Sequence, residues 1–272
     1  PNNQRVPFTS GAVRIEGEAS LTLVHPEIDV PGTALYARGS TLRIDGGSID
    51  GGSSEDGQAA VVLEGMESAQ LTGMGIVSDS PIALQIVGES LESPVPACAI
   101  TAWGTETEQC CNAANFDIAL RTVHVVGGLV LDSPTSTFCS DTLTVNASAS
   151  FGNTANILDA RAVLLHNSAL RGGTHVHAQT AELQDAPLFH LVNNSLQGDP
   201  ALRLLLAAPV TLANNVLVAP HTAVDLMVES ADTLTDLEFR KNRLLTDKLG
   251  SDVCKDGHCV GFNLIGELGL PI

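Results

Sequence analysis

The sequence predicts an all-β solenoid, a coiled parallel sheet of about nine coils. Three observations carry this. An apolar residue followed three positions later by asparagine recurs at Leu143/Asn146, Leu164/Asn167, Leu191/Asn194 and Leu212/Asn215, with Phe239/Asn242 as a fifth. The leading positions lie 21, 27, 21 and 27 residues apart, the period expected when each coil adds one equivalent strand. Apolar residues also alternate within short segments, as in Leu202, Leu204, Leu206 and then Val210, Leu212, which is the two-residue period of a strand.

The elements follow in order. Leu21-Thr-Leu-Val24, Leu42-Arg-Ile-Asp45 and Leu71-Thr-Gly-Met-Gly75 fit the strand slot, with Val, Asp or Gly near the asparagine position. The register blurs between Leu71 and Leu143, where His124-Val-Val-Gly127 fits one coil and residues 88–116 look inserted. Extra residues are tolerated there because they enter at turns. From Leu143 to Asn242 the repeat is regular, and residues 248–272 read as a tail that caps the last coil. Asparagine suits the tight turn after each strand because it tolerates positive φ. Asn146, Asn167, Asn194, Asn215 and Asn242 are therefore expected to stack as a turn ladder, with Gly73, Gly75, Gly127 and Gly128 in comparable turns. An antiparallel sandwich also uses short strands and Gly/Asn turns, but has no reason to repeat its turn residue at one spacing. Helical periodicity is limited to weak candidates near 181–186 and 231–240.

With these strands and turns, residues 10–247 resemble a right-handed parallel β-helix of the pectate-lyase-like superfamily. The handedness is what the resemblance implies. Residues 259–267, Cys-Val-Gly-Phe-Asn-Leu-Ile-Gly-Glu, are similar to the stretch that follows the last coils of many bacterial surface β-helix proteins. That resemblance implies export and cell-surface display.

Composition sets further bounds. The 272 residues show no composition break or Gly/Ser linker, so residues 1–272 read as one domain. No apolar run reaches the roughly 18 residues of a membrane-spanning helix. A start at Pro-Asn-Asn reads as a mature or trimmed form. The net charge of −18, with lysine only at 241, 248 and 255, argues against binding nucleic acid or acidic polysaccharide through charge. Acidity on this scale also serves plain solubility.

The six cysteines suggest disulfides in an oxidising compartment. Cys254 and Cys259 bracket a four-residue loop that a bridge would close. Cys98, Cys110, Cys111 and Cys139 lie in or near the insertion. Four cysteines allow three pairings, and a bond between the adjacent Cys110 and Cys111 is geometrically awkward, so the expectation is that Cys98 joins one of them and Cys139 the other. A zinc site fails on spacing.

Catalytic chemistry is hard to find. The Asn-Thr-Asp, Asp-Asp, Gly-His-Gly and Arg-Ile-Lys motifs of polygalacturonase-type hydrolases are missing from the sequence. The arginines are scattered, and one Trp, one Tyr and seven Phe are few for a sugar-binding platform. Three weaker groups remain. His175 and His177 share one strand face as a metal pair short of ligands. Asp45, Asp50, Glu55 and Asp56 gather among glycines as a candidate Ca²⁺ loop. Trp103 sits in the cysteine-rich insertion as a binding candidate.

These observations predict an exported structural or adhesive protein without catalytic activity, a rigid surface rod or spacer. Its partners are a cell-surface or glycan ligand, or further copies of itself stacked end to end into a filament through unpaired strand edges. The alternative is a carbohydrate-active β-helix enzyme, a polysaccharide lyase or hydrolase.

Overall fold

The computed structural model describes residues 13–55, 57–88, 116–147, 155–178, 189–206, 208–228 and 237–245, and the backbone of Ser251–Lys255 and His258–Phe262. All regular elements among them are strands, joined in a 25-stranded sheet. Every pairing between named strands is parallel except the last.

The pairings sort the strands into three stacks that the chain visits in rotation. Stack A holds Ser20–Val24, Thr41–Asp45, Ser68–Thr72, Ile118–Arg121, residues 138–141, residues 163–166, Phe189–Val192, Val210–Ala213 and Leu237–Arg240. Stack B runs from Glu27–Asp29 and Ser48–Gly51 through residues 75–78 and 124–126 to Thr144–Asn146, Ala169–Arg171, Ser195–Gln197, Val216–Val218 and Arg243–Leu245. Stack C runs from Val13–Glu16, Leu35–Arg38 and Val61–Glu64 through residues 84–87, 129–132 and 156–160 to Thr174–Ala178, Leu202–Leu206, Val224–Val228 and Ser251–Lys255. Long strands such as His124–Asp141 bend from one stack into the next. Ser251–Lys255 then pairs antiparallel with His258–Phe262, a hairpin that gives the last stack C strand a partner without continuing the parallel series.

The core follows from alternation. Inward side chains meet their equivalents one circuit away, so each stack carries rows of like residues. In stack B the inward row is aliphatic throughout: Ile28, Ile49, Ile76, Val125, Val145, Leu170, Leu196, Leu217 and Leu244. No circuit could bury these alone, so stability is a sum over neighbours. Burial of a Leu or Ile against the next circuit contributes about 1.5–3 kcal/mol.

The corner between stacks A and B has one rule. One residue per circuit takes positive φ: His25, Gly46, Gly73, Thr122, Thr142, Asn167, Asn193, Asn214 and Lys241. Each of the first eight donates its N–H to the carbonyl just before the same corner in the next circuit, as in Asn167 N to Val192 O at 3.2 Å. The ladder therefore continues through the bend, which satisfies backbone groups that a turn would otherwise strand.

Residues 89–115, 179–188 and 229–236, each between a stack C strand and the following stack A strand, lie outside the described residues. Parallel pairing resumes in register across 89–115, with Leu120 opposite Leu71 and Leu131 opposite Ile86. That segment, with Cys98, Cys110, Cys111 and Trp103, lies outside the described residues.

Candidate functional site

Three kinds of polar constellation stand out: an amide ladder inside the A–B corner, aspartate–histidine pairs between circuits, and charged rows on the outer face of stack C.

The amide ladder occupies the residue after the positive-φ position. Asn194 N donates to Asn215 Oδ1 at 2.9 Å, and Asn215 N donates to Asn242 Oδ1 at 2.9 Å. The side-chain Nδ2 of Asn194 and of Asn215 donates to the same Oδ1 of the next asparagine and also to Leu165 O and Leu191 O. Ser168 N donates to Asn194 Oδ1, and Leu143 N donates to Ser168 Oγ, extending the ladder two circuits back. Met74, Val123 and Leu143 fill the same inward slot earlier in the chain with apolar side chains.

Asn167 and Asn146 need correction. Leu165, not Leu164, is opposite Leu191, so Asn167 matches Asn193 and Asn214 at the positive-φ position and Ser168 takes the inward slot. The apolar-x-x-Asn pattern slipped by one because both Leu164 and Leu165 are apolar and buried. Asn146 lies in a stack B strand, opposite Val126 and Arg171. Gly73 is at the positive-φ corner, whereas Gly75 is in a strand and Gly127 and Gly128 lie past stack B.

The acidic segment does not assemble a shared site. Asp45 ends a stack A strand and pairs with Arg43 at 3.0 Å. Asp50 points outward from stack B opposite Asp29. Glu55 is exposed in the turn between Ser53 and Gln58, and Asp56 lies outside the described residues. Among the described residues no three His, Cys, Asp or Glu side chains gather to hold a metal ion.

His175 and His177 do share the outer face of stack C. His177 Nδ1 lies 3.1 Å from Asp159 Oδ2, one circuit back. Half-buried His175 stands between Ile157 and Arg203, and its Nε2 has no hydrogen-bond partner among the described residues. Burial, then the charges of Arg203 and His177, lower its pKa from the ordinary 6.5. Several other charges on this face are paired. Arg203 Nε donates to Asp225 at 2.8 Å, Tyr36 OH donates to Glu64 at 2.6 Å, and Arg38 lies 3.4 Å from Glu64. The bond to Glu64 raises the Tyr36 pKa. Arg14 bonds Glu16 and lies 4.7 Å from the Tyr36 ring centre.

Two further aspartate–histidine pairs had no counterpart in the motif search. On the outer side of stack A, His166 Nδ1 donates to Asp141 Oδ1 at 3.3 Å, and Asn193 Nδ2 lies 3.3 Å from His166 Nε2. Asn167 Nδ2 also donates to Asp141. The hydrogen bond to His166 is the main cause that lowers the Asp141 pKa. His166 is 2% exposed and its ring is held within this Asp–His–Asn network. The third pair is His221 with Asp199, at 2.6 Å. All three pairs join adjacent circuits, at separations of 25, 18 and 22 residues. Those separations near the repeat length were the available sequence signal.

Cys139 points outward from stack A, is fully buried and is disulfide-bonded. The Cys254 and Cys259 backbones lie directly opposite each other in the terminal hairpin. No protein-family model, curated protein or solved structure matches the chain.

Proposed function

We propose that this chain is an exported structural or adhesive protein, a rigid rod or spacer built as a right-handed parallel β-helix of the pectate-lyase-like superfamily. The observation that carries this reading is where the polar groups are used. Hydrogen bonds and ion pairs bind one circuit to the next: Asn194 to Asn215 to Asn242, Asp159 to His177, Arg203 to Asp225. Side chains used this way are held by the scaffold, whereas hydrolysis or elimination needs an acid and a base converging on one open cleft. Nine circuits at about 4.8 Å each give a stacked length of roughly 43 Å. Export is supported by the cysteine count and the disulfide at Cys139. Cys254 and Cys259 sit at a separation that a bridge can span, and their pairing is part of this proposal.

The test has two arms. Electron microscopy of the purified protein is expected to show stiff rods, single or joined end to end. A screen against acidic and neutral polysaccharides, with and without calcium, is expected to release no unsaturated or reducing ends. Turnover abolished by changing a residue of one groove would replace this reading with a carbohydrate-active enzyme.

A further inference from the structure

Each of the nine stack B strands presents two outward positions, and all of them are at least partly exposed. The charges on this face are segregated along the rod. Glu27, Asp29 and Asp50 lie in the first two circuits, Arg171 in the sixth and Arg243 in the ninth. Between Asp50 and Arg171 the outward row carries no formal charge with His124 neutral. Three carboxylates against two guanidiniums leave the face at −1, on a chain whose net charge is −18. None of these five side chains has a hydrogen-bond or ion-pair partner among the described residues. On stack C, by contrast, Arg38 pairs with Glu64 and Arg203 with Asp225 within the face. Asp29 stands directly opposite Asp50, an arrangement that costs free energy until a cation reaches it.

We infer that the outer face of stack B is an interface between two copies of this chain, packed face to face about a two-fold axis that runs along Thr144–Asn146, the fifth of the nine strands. Charge complementarity selects this occupant. Reversing one rod against the other brings the acidic first circuit of each copy onto the basic ninth circuit of its partner, so Glu27 meets Arg243 twice per dimer. The near-neutral face lets two chains of like charge approach there. The middle is free of charge and holds small side chains, with Gly75 opposite Ser195 and His124 opposite Ala169, so the sheets can close to about 10 Å. Val77, Val126 and Val218 supply apolar area. Two outward residues on each of nine strands approach the roughly 20–30 residues a side of a standard interface. Head-to-tail contact would also join the two charged ends. There, however, His258–Phe262 pairs antiparallel on the edge of Ser251–Lys255 where a following copy's Val13–Glu16 would continue stack C. The face-to-face pairing does not rest on the scaffold reading.

Sedimentation equilibrium of the intact protein tests the pairing. Between about 1 μM and about 1 mM the weight-average mass should rise from the 28.2 kDa of one chain towards twice that value. A mass that stays at one chain overturns the proposal, and so does one that climbs past two chains, the mark of open-ended head-to-tail growth. Arg243→Glu should weaken association by about tenfold or more, and adding Glu27→Arg to the same chain should restore it. A double variant that stays as weak as the single one rejects the predicted contact. Asn146→Cys tests the axis, because only the antiparallel arrangement sets this position beside its own copy. A short bismaleimide should join two chains of that variant, with the unsubstituted protein as the blank, and no joined product overturns the arrangement. The thiols of Asp29→Cys would stand about 38 Å apart in the dimer and should stay unlinked; linkage there means a different interface and rejects this one. None of these readouts depends on polysaccharide turnover, so the rod-or-enzyme question is decided separately.

Discussion

Within the A–B corner, the two asparagines of each doublet, Asn193-Asn194 and Asn214-Asn215, do different work. Asn214 takes positive φ, and Asn215 points inward to bond the circuits before and after it. Asn215→Ala removes the acceptor for Asn194 N and Nδ2 and the donor to Leu191 O, leaving buried groups unpaired. A loss of about 2–4 kcal/mol is expected from chemical denaturation. Asn214→Gly keeps the permitted backbone geometry and should change stability by less than about 1 kcal/mol. A reversed ranking would show that the ladder runs through the wrong residue. Ser140 offers the opposite test. It sits fully buried in the inward row between Leu120 and Leu165, and its hydroxyl has no partner among the described residues. Ser140→Ala should stabilise by about 1 kcal/mol, and a destabilised variant would mean the hydroxyl is satisfied. The recurrence of asparagine was legible in the sequence, but the slot it fills was not. Asn193-Asn194 and Asn214-Asn215 are doublets, and only hydrogen bonding distinguishes the member at positive φ from the one inside.

Single strands show the same division between pattern and placement. Alternation in Leu202–Leu206 or Thr41–Asp45 predicts which side chains turn inward, because the two-residue period needs no tertiary information. Whether the outward set meets water depends on what crosses above it, and nothing within residues 163–166 signals that Leu164 is covered. Outward histidines make this measurable. His175 faces Ile157, Arg203, His177, Asp159 and Asp225, and His190 faces Leu164, Thr211, Glu238 and Arg240. Burial lowers the pKa of both from the ordinary 6.5. The unfolded chain then binds more protons just below pH 6.5, so stability present above that pH is lost as the pH falls through the lowered values. The lowered Asp141 pKa acts in the same direction, in the window below its ordinary 3.8. Denaturation midpoints measured from pH 7 to 5 should fall, and the double variant His175→Gln, His190→Gln should fall less steeply. An unchanged slope in that variant would show that neither ring resists protonation.

Across the whole molecule, charge and stacking pull against each other. A repeat in which each circuit contacts only its neighbours places some outward carboxylates opposite others of their kind, as where Asp29 lies opposite Asp50 and Asp132 opposite Asp159. With 31 acidic against 13 basic residues, the ion pairs cannot neutralise the surface. The pairs at Arg38–Glu64 and Arg43–Asp45 are exposed and contribute about 0–1 kcal/mol each. Added salt weakens those pairs and also screens the repulsion summed over a net charge of −18. The repulsion involves many more charges than the pairs do, so screening it should win. Raising NaCl from about 20 mM to 500 mM, where the Debye length falls from roughly 20 Å to about 4 Å, should raise Tm by several degrees. A Tm that falls with salt would mean that the inter-circuit ion pairs, and not the hydrophobic rows and the asparagine ladder, dominate the stability of the stack.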